Sequence, residues 1–224
     1  MRDELFQAIA AGDMEGVRRV LDDDQPLASA RNDDGLSAVL AALYGHHEDI
    51  ASLLVAAGSE LDVFDAAAMG DADRLRQLLD ADPAAATAYA PDGFFPLALA
   101  AYFGRPAAAQ ALLEGGADVS ATARNPMRVQ PLHAAVAGRH LDVVHVLVEA
   151  GADVNVHQHG GWTPLMGAAA HGDIETVDLL LAHGADPTAT NESGEDAASL
   201  AREHGHGPLA DRLAALSGSQ PVNG

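Results

Sequence analysis

The sequence contains no cysteine and no lysine, few aromatic residues and no long apolar run. Without cysteine there are no disulfides, no thiolate catalysis and no sulfur-ligated metal site, and the redox compartment stays open. All twelve basic residues are arginine, so neither a phosphate-loop lysine nor a Schiff-base lysine is available. Aromatics make up 4% of the chain against 48% hydrophobic residues in all, which leaves alanine and leucine to fill the interior. Small residues suit close helix packing better than a β-sandwich. No apolar stretch is long enough to cross a bilayer. The opening Met1-Arg2-Asp3-Glu4-Leu5-Phe6 carries acids where a signal peptide would place its apolar core. These features predict a cytoplasmic protein.

Positive charge is scarce as well. Twelve arginines face 33 acids, for a net charge of −21. Phosphate backbones and anionic lipid surfaces need a basic face, so nucleic-acid and membrane partners are disfavoured. At 224 residues the chain can still build one sizeable core, either globular or stacked.

What the chain has in abundance is repetition. The stretch Gly161-Trp162-Thr163-Pro164-Leu165-Met166 leads into a small-residue helix, a glycine turn at Gly172, an apolar helix through Leu179-Leu180-Leu181, and Gly184-Ala185-Asp186. The turn between the two helices recurs at Gly12, His46, Gly70, Gly104, Arg139, Gly172 and Gly205, in steps of 34, 24, 34, 35, 33 and 33 residues. The glycine that ends the second helix recurs at Gly58, Gly116, Gly151 and Gly184. Two independent markers keep the same period, so the units are structural.

The period is close to 33, and Pro-Leu opens the first helix at Thr163-Pro164-Leu165-Met166, Gln130-Pro131-Leu132-His133 and Phe95-Pro96-Leu97-Ala98. Gly-Ala-Asp closes units at Gly116-Ala117-Asp118, Gly151-Ala152-Asp153 and Gly184-Ala185-Asp186. On these residues the chain resembles the ankyrin-repeat family, in its small bacterial form, over residues 1–216. Proline suits the first helical turn because its missing N–H would lack an intrahelical partner there, and the preceding threonine can cap free N–H groups. The resemblance implies an all-α solenoid of about seven helix-turn-helix units with short β-hairpin fingers. It also implies that His133 is a structural histidine. His46 and Arg139 depart from the family's glycine, and each follows a glycine, Gly45 and Gly138. Those two turns are expected to be built differently, because non-glycine residues resist the left-handed conformation.

The expected units are 1–31, 32–61, 62–87, 88–120, 121–155, 156–188 and 189–216, with 217–224 as a disordered tail. The third has no room for a finger between Gly58 and Phe64. Units one and two match units three and four at an offset of 58, as Phe6 with Phe64, Gly12 with Gly70, Leu21 with Leu79 and Gly58 with Gly116. A duplicated two-unit block explains the match. It predicts a step in the row of fingers, with a continuous groove starting at unit four.

The family binds other proteins through its fingertips and first helices, and this implies which residues to single out. Those after each tip position are Leu36, Phe94, Val129 and Trp162; three consecutive units thus offer Phe94, Val129 and Trp162 as an apolar row. Tyr44, Tyr102 and Phe103 fall near the ends of first helices on the same side. Exposed aromatics there would be anchors, unless each ring simply packs against the next finger. Between Asp118 and Asp142 there is no acid, yet Arg124, Arg128 and Arg139 lie there with His133 and His140. That island either docks a carboxylate or phosphate beside Trp162 or neutralises acids on neighbouring units.

Eleven histidines include His157-x-His159, His204-x-His206 and His46-His47. A metal site needs several convergent ligands, and no acid lies beside the His157/His159 pair to complete a set, so no metal and no cofactor is expected. Signatures of a nucleophile elbow, a dinucleotide fingerprint and a zinc peptidase are missing. Paired acids such as Asp33-Asp34 read as caps and turns. The expectation is therefore a monomeric, non-enzymatic module that binds one or more proteins on its finger and first-helix face. An alternative is an acidic inhibitor or nucleic-acid mimic that occupies a basic partner. A metal-dependent hydrolase rests on residue counts alone.

Overall fold

Fourteen short α-helices, paired in seven units, make up residues 1–218, the part of the chain that the computed structural model describes, and no strand forms among them. The pairs are α1 (Arg2–Ala10) with α2 (Met14–Asp23), α3 (Ala38–Tyr44) with α4 (Glu48–Ala56), and α5 (Val63–Met69) with α6 (Ala72–Ala81). Then follow α7 (Pro96–Tyr102) with α8 (Pro106–Glu114), α9 (Pro131–Ala137) with α10 (Leu141–Glu149), α11 (Pro164–His171) with α12 (Ile174–Ala182), and α13 (Ala197–Glu203) with α14 (Gly207–Gly218). Helices of this length are marginal alone in water. They persist because each first helix packs on the next, from α1 through to α13, in one continuous core.

The composition decides how close the helices come. Alanines at 66–68, 100–101, 134–135 and 168–169 are buried on the first helices and let the backbones approach. Leu54, Leu75, Leu112 and Leu147 on the second helices are wholly buried behind them. Prolines open α7, α9 and α11 at their first positions. The Thr163 hydroxyl accepts from the Met166 N–H and caps α11. Asp13, Asp71 and Asp173 cap α2, α6 and α12 in the same way, so the acids at these turns serve helix ends.

The duplicated block is visible in the backbone. Helices α2, α3 and α4 begin and end 58 positions before α6, α7 and α8, and so do the 3-10 turns Gln25–Ser29 and Pro83–Thr87. The third unit has no finger: α4 ends at Ala56 and α5 opens at Val63. Asp62 caps α5 there, accepting from the N–H groups of Phe64 and Asp65. Asp65 itself is 1% exposed and accepts a hydrogen bond from the Ser37 hydroxyl. Burial, with the Asp62 charge beside it, pushes its carboxyl up to about 6.

Two expectations are corrected. His46 and Arg139 were expected in differently built turns, but both hold the left-handed conformation, at φ 59° and 60°, as Gly12 and Gly104 do at 66° and 68°. The reason is that the turn closes on the residue after it: the His47 and His140 N–H groups bond back to Ala42 and Ala135 as Asp13 bonds to Ala8. Gly45 and Gly138, one place earlier, are the C-caps of α3 and α9 and hold negative φ, −79° and −76°. Ser217 and Gly218, expected in the tail, are instead the last residues of α14, and the Ser217 hydroxyl donates to the Pro187 carbonyl. The rest of the expected tail, 219–224, lies outside the described residues.

Candidate functional site

The fingers are turns too short for strand pairing, with one isolated bridge between Arg31 and Ser37. Each is closed by a pair of backbone bonds, as Ala90 N–H to Phe94 O with Gly93 N–H to Ala90 O, and Gln158 N–H to Trp162 O with Gly161 N–H to Gln158 O. The fifth finger is longer, and its closing bond runs from Ala123 N–H to Val129 O. Arg128 holds its tip at φ 52°, where the other tips use glycine, such as Gly93 at 82°.

From unit four onward the fingers are stitched together. Arg124 N–H donates to Gly93 O, His159 N–H to Met127 O, and Glu192 N–H to Gly160 O. No such bond joins the fingers of units two and four among the described residues. There the step is bridged by side chains, with Pro91 against Gly35 and the Tyr44 hydroxyl donating to Asp92 at 2.8 Å. The backbone row thus begins at unit four.

Between these fingers and the first helices α7, α9 and α11 runs a groove of about 430 Å³. Phe94, Met127 and Trp162 form its finger side, and Tyr102 and His171 stand at the helix ends. Gly167, in the middle of α11, also borders it. No aspartate or glutamate lines it. Tyr102 is 39% and Met127 57% exposed, so two large apolar side chains face water here. Trp162 is half-buried.

His133 ties the groove floor to the wall. Its Nε2 lies 3.2 Å from the Trp162 carbonyl, which can only accept, so Nε2 carries the proton. The ring is buried, and Nδ1 makes no hydrogen bond among the described residues. Burial lowers the imidazole to about 4 against the pull of the Trp162 carbonyl. A neutral, buried histidine that positions a finger has the structural part that the resemblance implied.

The residues singled out from sequence separate into three groups. Phe94, Tyr102, Val129 and Trp162 all border the groove, but Val129 is only 6% exposed and belongs to the core, so it is floor rather than anchor. Phe103 packs between the rings of Tyr44, at 5.8 Å, and Tyr102, at 5.1 Å, and does not line the groove. Arg124 does not stand beside Trp162. Its guanidinium lies 3.8 Å above the Tyr89 ring and borders a separate hollow with Phe95 and Asp118.

Arg128 and Arg139 are exposed, and neither forms an ion pair among the described residues. The charge-balancing reading holds elsewhere: Arg31 of unit one pairs with Asp62 of unit three at 2.6 Å, and Arg105 of unit four with Glu48 of unit two at 2.9 Å. It does not hold for the arginine island. Met127 and His171 were not singled out. For Met127 a signal existed, because the lengthened finger Asn125-Pro126-Met127 breaks the repeat.

Among the described residues no cluster of histidine and acidic side chains could hold a metal, and no helix is long and apolar enough to cross a membrane. Comparison with known proteins gives a family match over most of the chain. The model described as ankyrin repeats (3 copies) matches residues 63–158, 108–191 and 132–222. Individual relatives match over shorter stretches. The chain is 48% identical over 68 residues to the probable E3 ubiquitin-protein ligase XBOS34 of Oryza sativa subsp. japonica, which is 30% of this chain and 13% of that protein. It is 38% identical over 77 residues to protein phosphatase 1 regulatory subunit 27 of Homo sapiens, 34% of this chain and 50% of that protein. Over 97 residues it is 37% identical to the ARF GTPase-activating protein GIT2 of Mus musculus, 43% of this chain and 13% of that protein. The matches therefore span half or less of each relative.

Proposed function

The chain belongs to the ankyrin-repeat family, and from that premise we propose that it is a non-enzymatic module that grips a partner protein in the groove over units four to six. One observation carries this reading: Met127 and Tyr102 face water across a groove walled by Trp162, in a chain where aromatics are 4% of residues. Large apolar side chains held open on rigid elements are what a binding hot spot requires. Stitched fingers and stacked helices keep the groove's shape without a partner, which lowers the ordering cost of binding. The human relative is named as a regulatory subunit of a phosphatase, which supports an accessory role of the same kind.

The test is affinity capture from native lysate with the wild type and with a Met127→Ala/Trp162→Ala variant of matched thermal stability. At least one protein should be retained by the wild type and lost by the variant. Equal recovery by both would place the contact elsewhere on the molecule. The net charge of −21 favours a second reading, an acidic mimic that occupies a basic partner. Capture that collapses steeply with salt while ignoring the groove variant would favour it.

A further inference from the structure

We propose that the occupant of the groove is an extended peptide segment carrying one large apolar side chain flanked by aspartate or glutamate; this rests on the groove reading above. The argument is local charge. The chain has 33 acids, yet none lines the groove. The nearby Asp92 carboxylate is engaged by the Tyr44 hydroxyl. Arg128 sits between two residues that border the groove, Met127 and Val129, and Arg139 lies two residues after Ala137, which borders it at the end of α9. Both arginines are exposed and free of ion pairs among the described residues. Each therefore offers a guanidinium whose natural partner is a carboxylate brought from outside.

Spacing follows from the helix between them. Seven residues of α9 rise about 10 Å, which an extended chain covers in about three residues. An acid one or two positions to either side of an apolar residue places two carboxylates about that far apart while the apolar side chain enters between Met127, Trp162 and Tyr102. The chain's overall negative charge does not forbid this, because charges beyond about 8 Å are screened at physiological salt.

The experiment selects binders to the full chain from a phage-displayed library of random dodecapeptides, then titrates synthetic winners that lack tryptophan. Trp162 is the only tryptophan in the chain, so its emission reports occupancy of the groove directly. Winners should carry an apolar residue flanked by Asp or Glu and should change Trp162 emission. An Arg128→Gln/Arg139→Gln variant should bind them about tenfold more weakly, while a version of the winner with Asn and Gln in place of its acids binds both proteins alike. Winners that are basic, or that show no charge preference, overturn the proposal but leave the groove reading standing. Absence of any winner that moves Trp162 overturns both. A concentration-dependent Trp162 shift without peptide, with doubled mass in sedimentation, would make the occupant a second copy and overturn the proposal.

Discussion

The imidazole of His140 lies across Gly104, so that a Cβ on Gly104 would stand 2.4 Å from His140 Nδ1. The same relation joins Gly12 to His47, Gly70 to Arg105 and Gly172 to His206, at 2.7, 2.9 and 2.4 Å. In each case the turn residue of one unit lies beneath the residue before the second helix of the next. The two non-glycine turns, His46 and Arg139, occur where that following residue is a short aspartate, Asp71 or Asp173. Turn and neighbour are therefore chosen together. Gly104→Ala should destabilise the protein by about 2 kcal/mol or more, from left-handed strain and from displacement of the ring. His140→Asp in the same chain should recover the displacement part. Urea midpoints of the two single variants and the double variant would show the coupling, and additive shifts would refute it.

Where glycine is missing, its return should help. Arg128 and Arg139 hold φ of 52° and 60°, a conformation that costs an L-residue about 1–2 kcal/mol. Arg128→Gly should thus raise the unfolding free energy by about 1 kcal/mol, after the greater freedom of glycine in the unfolded chain is deducted. The same substitution removes one of the two groove arginines, so stability should rise as affinity for an acidic peptide falls. Denaturation and peptide titration on one sample separate the two effects.

These positions show where the sequence is readable and where it is not. The period of the inter-helix turns names the units and the missing third finger, because the helix-turn-helix geometry recurs in every repeat. Among the first helices, Pro-Leu marks only the openings of α7, α9 and α11. Whether Val129 or Met127 faces water is not periodic information. It depends on how two extra finger residues are absorbed, and the structure turns Met127 outward and Val129 into the core. The Arg124 side chain was equally illegible, since its place over Tyr89 depends on a ring from the preceding unit. The left-handed His46 and Arg139 run against residue preference because the turn's hydrogen bonds override it.

Stability against pH should report two buried groups with opposite signs. Asp65 is raised to about 6 in the folded state, so its contribution is complete at acid pH and is lost as pH rises through 6. His133 is lowered to about 4, so its contribution is complete above the ordinary histidine value and is lost as pH falls towards 4. Between pH 4 and 6 the two slopes oppose each other. Asp65→Asn removes one of them. The variant should gain about 2 kcal/mol at pH 7.5, where the wild type buries a charge, and should lose stability more steeply than the wild type from pH 6 to 4. Parallel profiles for the two proteins would show that Asp65 does not titrate in this range.

The fingertip row predicts a clash of backbone rather than of side chains. A Cβ on Gly93 would stand 2.6 Å from the Arg124 carbonyl oxygen, and Gly93 has φ 82°. No rotamer can relieve that contact. Gly93→Ala should cost at least about 2 kcal/mol and should break the Arg124 N–H to Gly93 O bond that joins the fourth finger to the fifth. Hydrogen exchange at the Arg124 amide would accelerate out of proportion to the global loss of stability.

Met127 and Val129 flank the same arginine and should respond in opposite ways to loss of their side chains. Val129 is 6% exposed and Met127 57% exposed. Truncating valine to alanine removes two methyl groups from the core, which costs about 1.6 kcal/mol by area alone. Truncating Met127 to alanine removes little that is buried, and its effect on stability should stay within about 0.5 kcal/mol. Binding should invert this order. Met127→Ala strips an apolar wall from the groove and should weaken capture of the partner, whereas Val129→Ala leaves that wall in place. Thermal melts and capture efficiency on the two variants give four numbers with a crossed pattern. Parallel losses in both assays would mean that partner binding merely follows the integrity of the fifth finger, and Met127 would then have no contact of its own.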